Sequence, residues 1–248
     1  MNPLVFLLGL AVSTVCSMVG LGGGAFIVPS LIILFSVPVK TAIGTSLFAV
    51  MIATISATIV YAAQKRIDYR VGLLLDTLDI PGAALGAYLT LLICPRLLAL
   101  LFGLTVILTS ISIARRRENS PSRFRLTARA VGICVLGSFA SGVVSGMLGI
   151  GGGVVDEAVM ILLLGMPVGL SAGTAIFGMS LTTVGAVIPH YLIGNIASDL
   201  AIPLGAGCAV GGMIGPTLGG RLKSAVLRRA LAAMMILVGV RMILVAVP

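Results

Sequence analysis

Apolar residues in this chain come in long blocks separated by short polar stretches. The blocks cover residues 3–20, 24–36, 41–63, 71–93 and 97–114, then 130–148, 154–164, 170–193, 200–220 and 230–247. Most approach the roughly 20 residues a helix needs to cross a hydrocarbon core of about 30 Å. In a bilayer every backbone N–H and C=O must be bonded internally, so blocks of this length predict α-helices. A closed barrel would need short strands of alternating polarity, and the blocks do not alternate. The pattern predicts an all-α integral membrane protein with about ten apolar segments.

The two halves repeat. Shifting the numbering by 129 lays residues 18–89 on 147–218 without a gap, with 20 identities in 72 positions. Gly20, Gly22, Gly23 and Gly24 fall on Gly149, Gly151, Gly152 and Gly153. Pro38-Val39 falls on Pro167-Val168, Gly44-Thr45 on Gly173-Thr174, and Phe48 on Phe177. A run of glycines and prolines coinciding at one shift argues for duplication. The predicted organisation is a first transmembrane repeat over 1–114, a basic linker over 115–129 and a second repeat over 130–248.

Composition closes off other classes. Of 248 residues, 59% are apolar and 9% charged, with a mean hydropathy of +1.23; soluble domains have roughly 45–50% apolar and about 25% charged residues. A soluble enzyme, a secreted module and a disordered chain are excluded. The net charge of +9 does not point to nucleic acid, because the basic residues sit between apolar blocks and not in an aromatic-interleaved patch. Cys16, Cys94, Cys134 and Cys208 lie in or beside apolar blocks at unrelated spacings, and read as packing residues without a disulfide or metal role. Met1-Asn2-Pro3-Leu4 lacks a basic n-region, so the first block reads as a retained segment and not a signal peptide.

The position of the basic residues predicts orientation. If each half crosses the membrane an odd number of times, loops 64–70, 115–129 and 221–229 share one side and hold 13 of the 16 Lys and Arg. The other parity leaves a weaker split. The positive-inside rule therefore puts the central basic linker in the cytoplasm of a multi-pass cell-membrane protein. Odd parity makes the second half an upside-down copy of the first, the architecture of secondary transporters with a substrate site at the midplane repeat interface. The predicted fold is two inverted repeats of about five segments, the first two of each half joined by a Gly-rich turn inside the membrane.

Those turns are the candidate chemical centre. After Gly20-Leu21-Gly22-Gly23-Gly24 the next apolar block has about 13 residues, a rise of roughly 20 Å, too short to cross. It reads as a half-helix starting within the membrane, and Gly149-Ile150-Gly151-Gly152-Gly153 repeats the arrangement. Glycines there let backbone N–H groups approach a ligand, and a helix N-terminus attracts anions without a basic side chain. Gly22, Gly23, Gly24, Gly151, Gly152 and Gly153 are thus candidate anion-binding positions; close helix packing is the alternative role. Gly82 and Gly86, with Gly211 and Gly215, read as packing positions only. No strand or phosphate-loop Lys-Ser/Thr supports a nucleotide reading.

The stretch Gly-Leu-Gly-Gly-Gly-Ala-Phe-Ile-Val-Pro at Gly20–Pro29, followed by Pro38, Ala42-Ile-Gly-Thr-Ser-Leu47 and the second copy, resembles the TauE/SafE (sulfite exporter, TSUP) family of membrane permeases. The resemblance implies transport of small sulfur-containing anions such as sulfite, sulfoacetate or other organosulfonates across the cytoplasmic membrane; separately, no cofactor is expected. The second copy departs from the first: Pro29, Ser46 and Val28 are matched by Ala158, Ala175 and Glu157. Thr45, Ser46 and Thr174 each stand at or next to a Gly-Thr pair, where a hydroxyl can donate to a sulfonate or bond its own backbone.

Four acids lie in apolar blocks: Asp76, Asp79, Asp156 and Glu157. Intramembrane ionisable groups are functional candidates. Asp156 and Glu157 suit the dipole at a helix start; alternatively, in protonated form they admit the anion and couple its movement to protons. Asp76 and Asp79 share a helix face, with pairing to Arg70 or a hydroxyl as one role and gating as the other. His190, the sole histidine, reads as a packing residue before a proton relay.

One histidine cannot supply a zinc site and no serine nucleophile elbow appears, so an enzyme is disfavoured and no metal is expected. An anion channel, or a transporter of another small anion such as a carboxylate, remains the alternative. The partners implied are the lipid bilayer and a small anion; oligomeric state is not legible.

Overall fold

The computed structural model describes residues 3–115, 128–153, 156, 157, 160, 166–219 and 224–246. Every regular element among them is helical: α1 (Pro3–Ser17), α2 (Gly24–Phe35), α3 (Val39–Ala63), α4 (Tyr69–Leu92), α5 (Pro95–Arg115), α6 (Ala128–Leu148), α7 (Val168–Leu192), α8 (Ser198–Gly219) and α9 (Ser224–Ala246). Gly153, Asp156, Glu157 and Met160 are helical too, in the block that starts after the second glycine run. The rest of that block, and the linker between Arg115 and Ala128, lie outside the described residues.

Local chemistry sets the helix starts. Pro38 and Pro167 precede α3 and α7 with nearly identical extended conformations (φ −55°, ψ 142° and φ −58°, ψ 137°), which the proline ring favours. Asp68 caps α4, its Oδ1 accepting from the N–H groups of Arg70 and Val71 at 3.1 and 3.3 Å, so two otherwise unpaired donors are satisfied.

By length and composition, Val39–Ala63, Gly169–Leu192 and Ser198–Gly219 are each long and apolar enough to cross a membrane. The 25 residues of α3 correspond to a rise of roughly 37 Å. The outside of the bundle is apolar: Leu92 is 83% exposed, Leu237 71% and Tyr191 70%, while Ser13, Thr54, Asp79 and Thr182 are fully buried. Leucines outward with small and polar residues inward suit lipid as the solvent, because helix association there relies on close backbone approach and internal hydrogen bonds.

The helices pair through small residues. A Cβ added to Gly82 or Gly86 of α4 would strike the carbonyl oxygens of Phe139 or Val143 on α6, and one on Gly142 or Gly146 of α6 would strike those of Asp79 or Ala83. Residue numbers rise together along both helices, so α4 and α6 are parallel. Likewise α1 lies parallel to α8: Gly207 meets Phe6, Gly211 meets Leu10 and Gly215 meets Thr14. Each of these pairings is the other displaced by 129.

Direction follows from the remaining contacts. Gly44, near the start of α3, lies against Asn195 just past the end of α7, and Gly173, near the start of α7, lies against Tyr61 and Arg66 at the end of α3. Helix α7 runs beside α4 in the same sense, with Gly178 at Asp76 and Gly185 at Ile80. Helix α7 therefore runs opposite to α3, its counterpart in the repeat. Hydrogen bonds obey the same relation. Asp68 N–H donates to Thr174 Oγ1 at 2.9 Å, and Ala197 N–H to Thr45 Oγ1 at 3.0 Å. Tyr61 donates its hydroxyl to Ser17 O at 2.8 Å, and His190 Nε2 donates to Gly146 O at 2.9 Å. In both cases the equivalent residues of the two bonds are 129 apart: Asp68 and Ala197, Thr45 and Thr174, Tyr61 and His190, Ser17 and Gly146.

Candidate functional site

The chain reverses at the two glycine runs through backbone conformations that side chains resist. Gly20, Gly22 and Gly23 have φ of 85°, 65° and 105°, and Gly149, Gly151 and Gly152 have φ of 78°, 95° and 70°. The positive angles thus recur at matching positions. Both runs reach mid-height of the bundle. Gly22 and Gly151 each face the side chains of Val50 and Met179, which are the twelfth of 25 residues in α3 and in α7. There the turns touch: a Cβ on Gly24, the first residue of α2, would run into the carbonyl oxygens of Gly149 and Ile150. Ser46 donates its hydroxyl to Gly149 O at 3.3 Å.

A polar cluster adjoins the second turn. Asp76, Asp79 and Asp156 are 2%, 0% and 4% exposed, and one oxygen of each lies within 4.8 Å of the other two. Thr182 Oγ1 stands 3.0 Å from Asp76 Oδ1 and close to Asp79 Oδ2. Its single proton can serve only one carboxylate at a time. Ser141 is within hydrogen-bond reach of Asp79 and Asp156 and lies 3.3 Å from Gly152 O. A Cβ on Gly152 would sit 3.0 Å from Asp79 Oδ2, so the carboxylate lies directly against the turn. Two unit charges about 5 Å apart repel by roughly 3 kcal/mol at an effective dielectric constant of about 20. Three ionised carboxylates in this space therefore require positive charge, and Arg70 and Lys65 are both exposed.

Beside the cluster is a cavity of about 10 Å³ lined in part by Thr105, Thr109, Ser141, Ser145 and Gly152. Beside the first turn is a wider, apolar one of about 190 Å³, lined in part by Val12, Val15, Cys16, Phe26 and Met234.

The candidate residues thus fall into separate groups. Gly22–Gly24 and Gly151–Gly153 meet at the centre, with Ser46 next to them. Thr45 and Thr174 use their hydroxyls to hold the backbone of Ala197 and Asp68, the loop residues ahead of α8 and α4. Asp76 and Asp79 have a hydroxyl, not Arg70, as partner. Asp156 joins them, a union that their spacing along the chain does not reveal. Glu157 is fully buried but outside the group of three, and His190 is occupied with Gly146. Thr182, Ser141 and Ser145 were not legible as site residues from their neighbours in sequence. Their signal is comparative, because each is polar where its counterpart 129 residues earlier (Ala53, Val12, Cys16) is not.

The family model described as sulfite exporter TauE/SafE matches residues 5–242. Among similar chains, the probable membrane transporter protein YunE of Bacillus subtilis is 29% identical over 265 residues, covering 97% of this chain and 96% of the relative. The probable membrane transporter protein YdhB of the same organism is 27% identical, covering 92% of each chain. The probable membrane transporter protein MJ0441 of Methanocaldococcus jannaschii is 26% identical, covering 98% of this chain and 95% of the relative. No solved structure matches the chain.

Proposed function

We propose that this chain, which belongs to the TauE/SafE sulfite exporter family, is a secondary transporter that carries small sulfur-containing anions (sulfite, sulfoacetate or other organosulfonates) across the cytoplasmic membrane. That it is a multi-pass membrane transporter and not an enzyme follows from the family and its relatives. The choice of anion and the mechanism are our reading. The observation that carries it is the contact between the two glycine turns at mid-height, where the start of α2 meets Gly149 and Ile150.

In this reading the halves 1–114 and 130–248 are inverted repeats, supported by the opposed directions of α3 and α7 and by the contacts that recur at a shift of 129. Rocking of one half against the other separates Gly24 from the second turn and opens the helix starts alternately to each side. The anion then sits on the N–H groups of Gly22–Gly24 and Gly151–Gly153, favoured by the positive end of the helix dipole. Ser46 is placed to add a donor on rearrangement; Thr45 and Thr174 contribute only if they release their loops. The buried acids Asp76, Asp79, Asp156 and Glu157 couple the cycle to protons or gate it, and the 115–129 linker faces the cytoplasm.

The test is a thermal-shift screen of purified protein against sulfite, thiosulfate, sulfoacetate and taurine beside matched carboxylates. A ligand at 100 times its Kd stabilises the native state by about 2.7 kcal/mol. The expected result is stabilisation by sulfur anions that is lost in Gly23→Leu, where φ is 105°. Stabilisation by carboxylates alone would favour the alternative substrate class, and no response to any anion would overturn the reading.

A further inference from the structure

The duplicated scaffold holds one polar cradle, not two. Asp76, Asp79, Asp156, Thr182, Ser141 and Ser145 gather at the second glycine turn. The equivalent places at the first turn hold Gly205, Cys208, Ile27, Ala53, Val12 and Cys16. The two cradles rest on matching contacts: Gly142 packs on Asp79 O, and its counterpart Ser13 donates to Cys208 O at 2.9 Å. Ile27, Ala53 and Cys208 are fully buried, so the same frame packs without any carboxylate. Burying three acids in a membrane protein is costly, and the fold itself does not require it.

A second observation is that two polar atoms of this cradle are left unpartnered. Ser145 Oγ and Asp79 Oδ1 are buried and have no hydrogen-bond partner; their residues are 1% and 0% exposed. Ser145 lines the 10 Å³ cavity, which is roughly the size of one water molecule.

Resting on the transport reading above, we infer that this cradle is the transporter's proton site. Asp79 must accept a proton before an anion can settle on the turn at Gly152, so anion and proton cross in the same direction. The step is simple: a carboxylate oxygen at the turn takes up a proton and becomes a neutral O–H donor. The negative charge that would repel the anion is thereby removed. The groups facing Asp79 are Asp76 on its own helix, Thr182 on α7, Ser141 and Ser145 on α6, and Asp156 after the turn. Thr105 and Thr109 of α5 face the cavity, and His190 of α7 bonds to Gly146 next to Ser145. The proton leaves Asp79 on the side to which the anion is released, so both are carried across together.

The test uses sulfoacetate, which stays ionised between pH 6 and 8, so that pH dependence belongs to the protein. Uptake of one proton per anion makes affinity fall up to tenfold per pH unit on the alkaline side. The wild type is expected to show this fall and, in proteoliposomes, to carry protons inward with the anion. Asp79→Asn, which resembles the protonated form, should bind sulfoacetate with no pH dependence and move it without protons. Cys94→Ser, in the exposed loop ahead of α5, should keep the wild-type coupling. A wild-type affinity independent of pH, or binding that requires Na⁺ at fixed pH, would overturn the proposal even if Asp79→Asn failed to fold. Failure of wild type to bind any small anion would instead overturn the transport reading.

Discussion

Replacing Gly24 by Ala tests whether the two halves meet where the structure has them meet. The added methyl would be driven into the carbonyl oxygens of Gly149 and Ile150, the latter only 2.8 Å away. Backbone oxygens of the opposite turn cannot rotate aside as a side chain would, and Gly149 O already accepts from Ser46. One turn must retreat, and overpacking of this kind costs about 1–3 kcal/mol. At roughly 2–4 °C per kcal/mol for a chain of this size, thermal unfolding in detergent should fall by several degrees. In the proposed cycle the gap between the turns opens and closes, so sulfoacetate transport should fall with it. Gly132→Ala is the control, since its added methyl meets nothing within 4 Å and alanine favours a helix; it should be neutral or slightly stabilising. If Gly24→Ala unfolds at the wild-type temperature, the turns do not pack on one another and the central site loses its basis.

Two further outcomes follow from the paired contacts. Thr45→Val and Thr174→Val each leave a loop N–H, of Ala197 or Asp68, without its acceptor, so each should lower stability by about 1–3 kcal/mol and by similar amounts, measured by thermal unfolding. Cys94 is exposed while Cys16 and Cys208 are buried, and Lys40 bonds to Leu91 O at the same end of the bundle. In a Cys134→Ser background, a membrane-impermeant maleimide added to intact cells should therefore label the protein, and Cys94→Ser should abolish that labelling. Labelling of Cys94 only in inverted vesicles would reverse the proposed orientation of the basic linker.

Much of the architecture was legible in the residues. Block length specified helices because a bilayer leaves the backbone no other partner, and observed starts such as Pro3, Gly24, Val39 and Tyr69 fall within about two residues of the block edges. Helix α9 is an exception: it begins at Ser224, ahead of its apolar block at 230, because a helix can extend past the lipid with polar residues that hydropathy does not register. The glycine turns were legible as well, since positive φ at repeated positions selects the one residue without a Cβ.

What the tertiary structure alone decided is who meets whom. Asp156 is 77 residues from Asp79, and nothing in either neighbourhood specifies that α4, α6 and the second turn converge. That convergence comes from backbone contact at Gly82, Gly86, Gly142 and Gly146, whose register depends on the complementary surfaces of two helices. The role of Thr45 and Thr174 was likewise open, because a hydroxyl can serve a ligand or a backbone with equal chemistry, and only the position of a distant loop N–H selects between them. Local periodicity determined the elements and their turns; long-range packing determined which polar groups share one dry space.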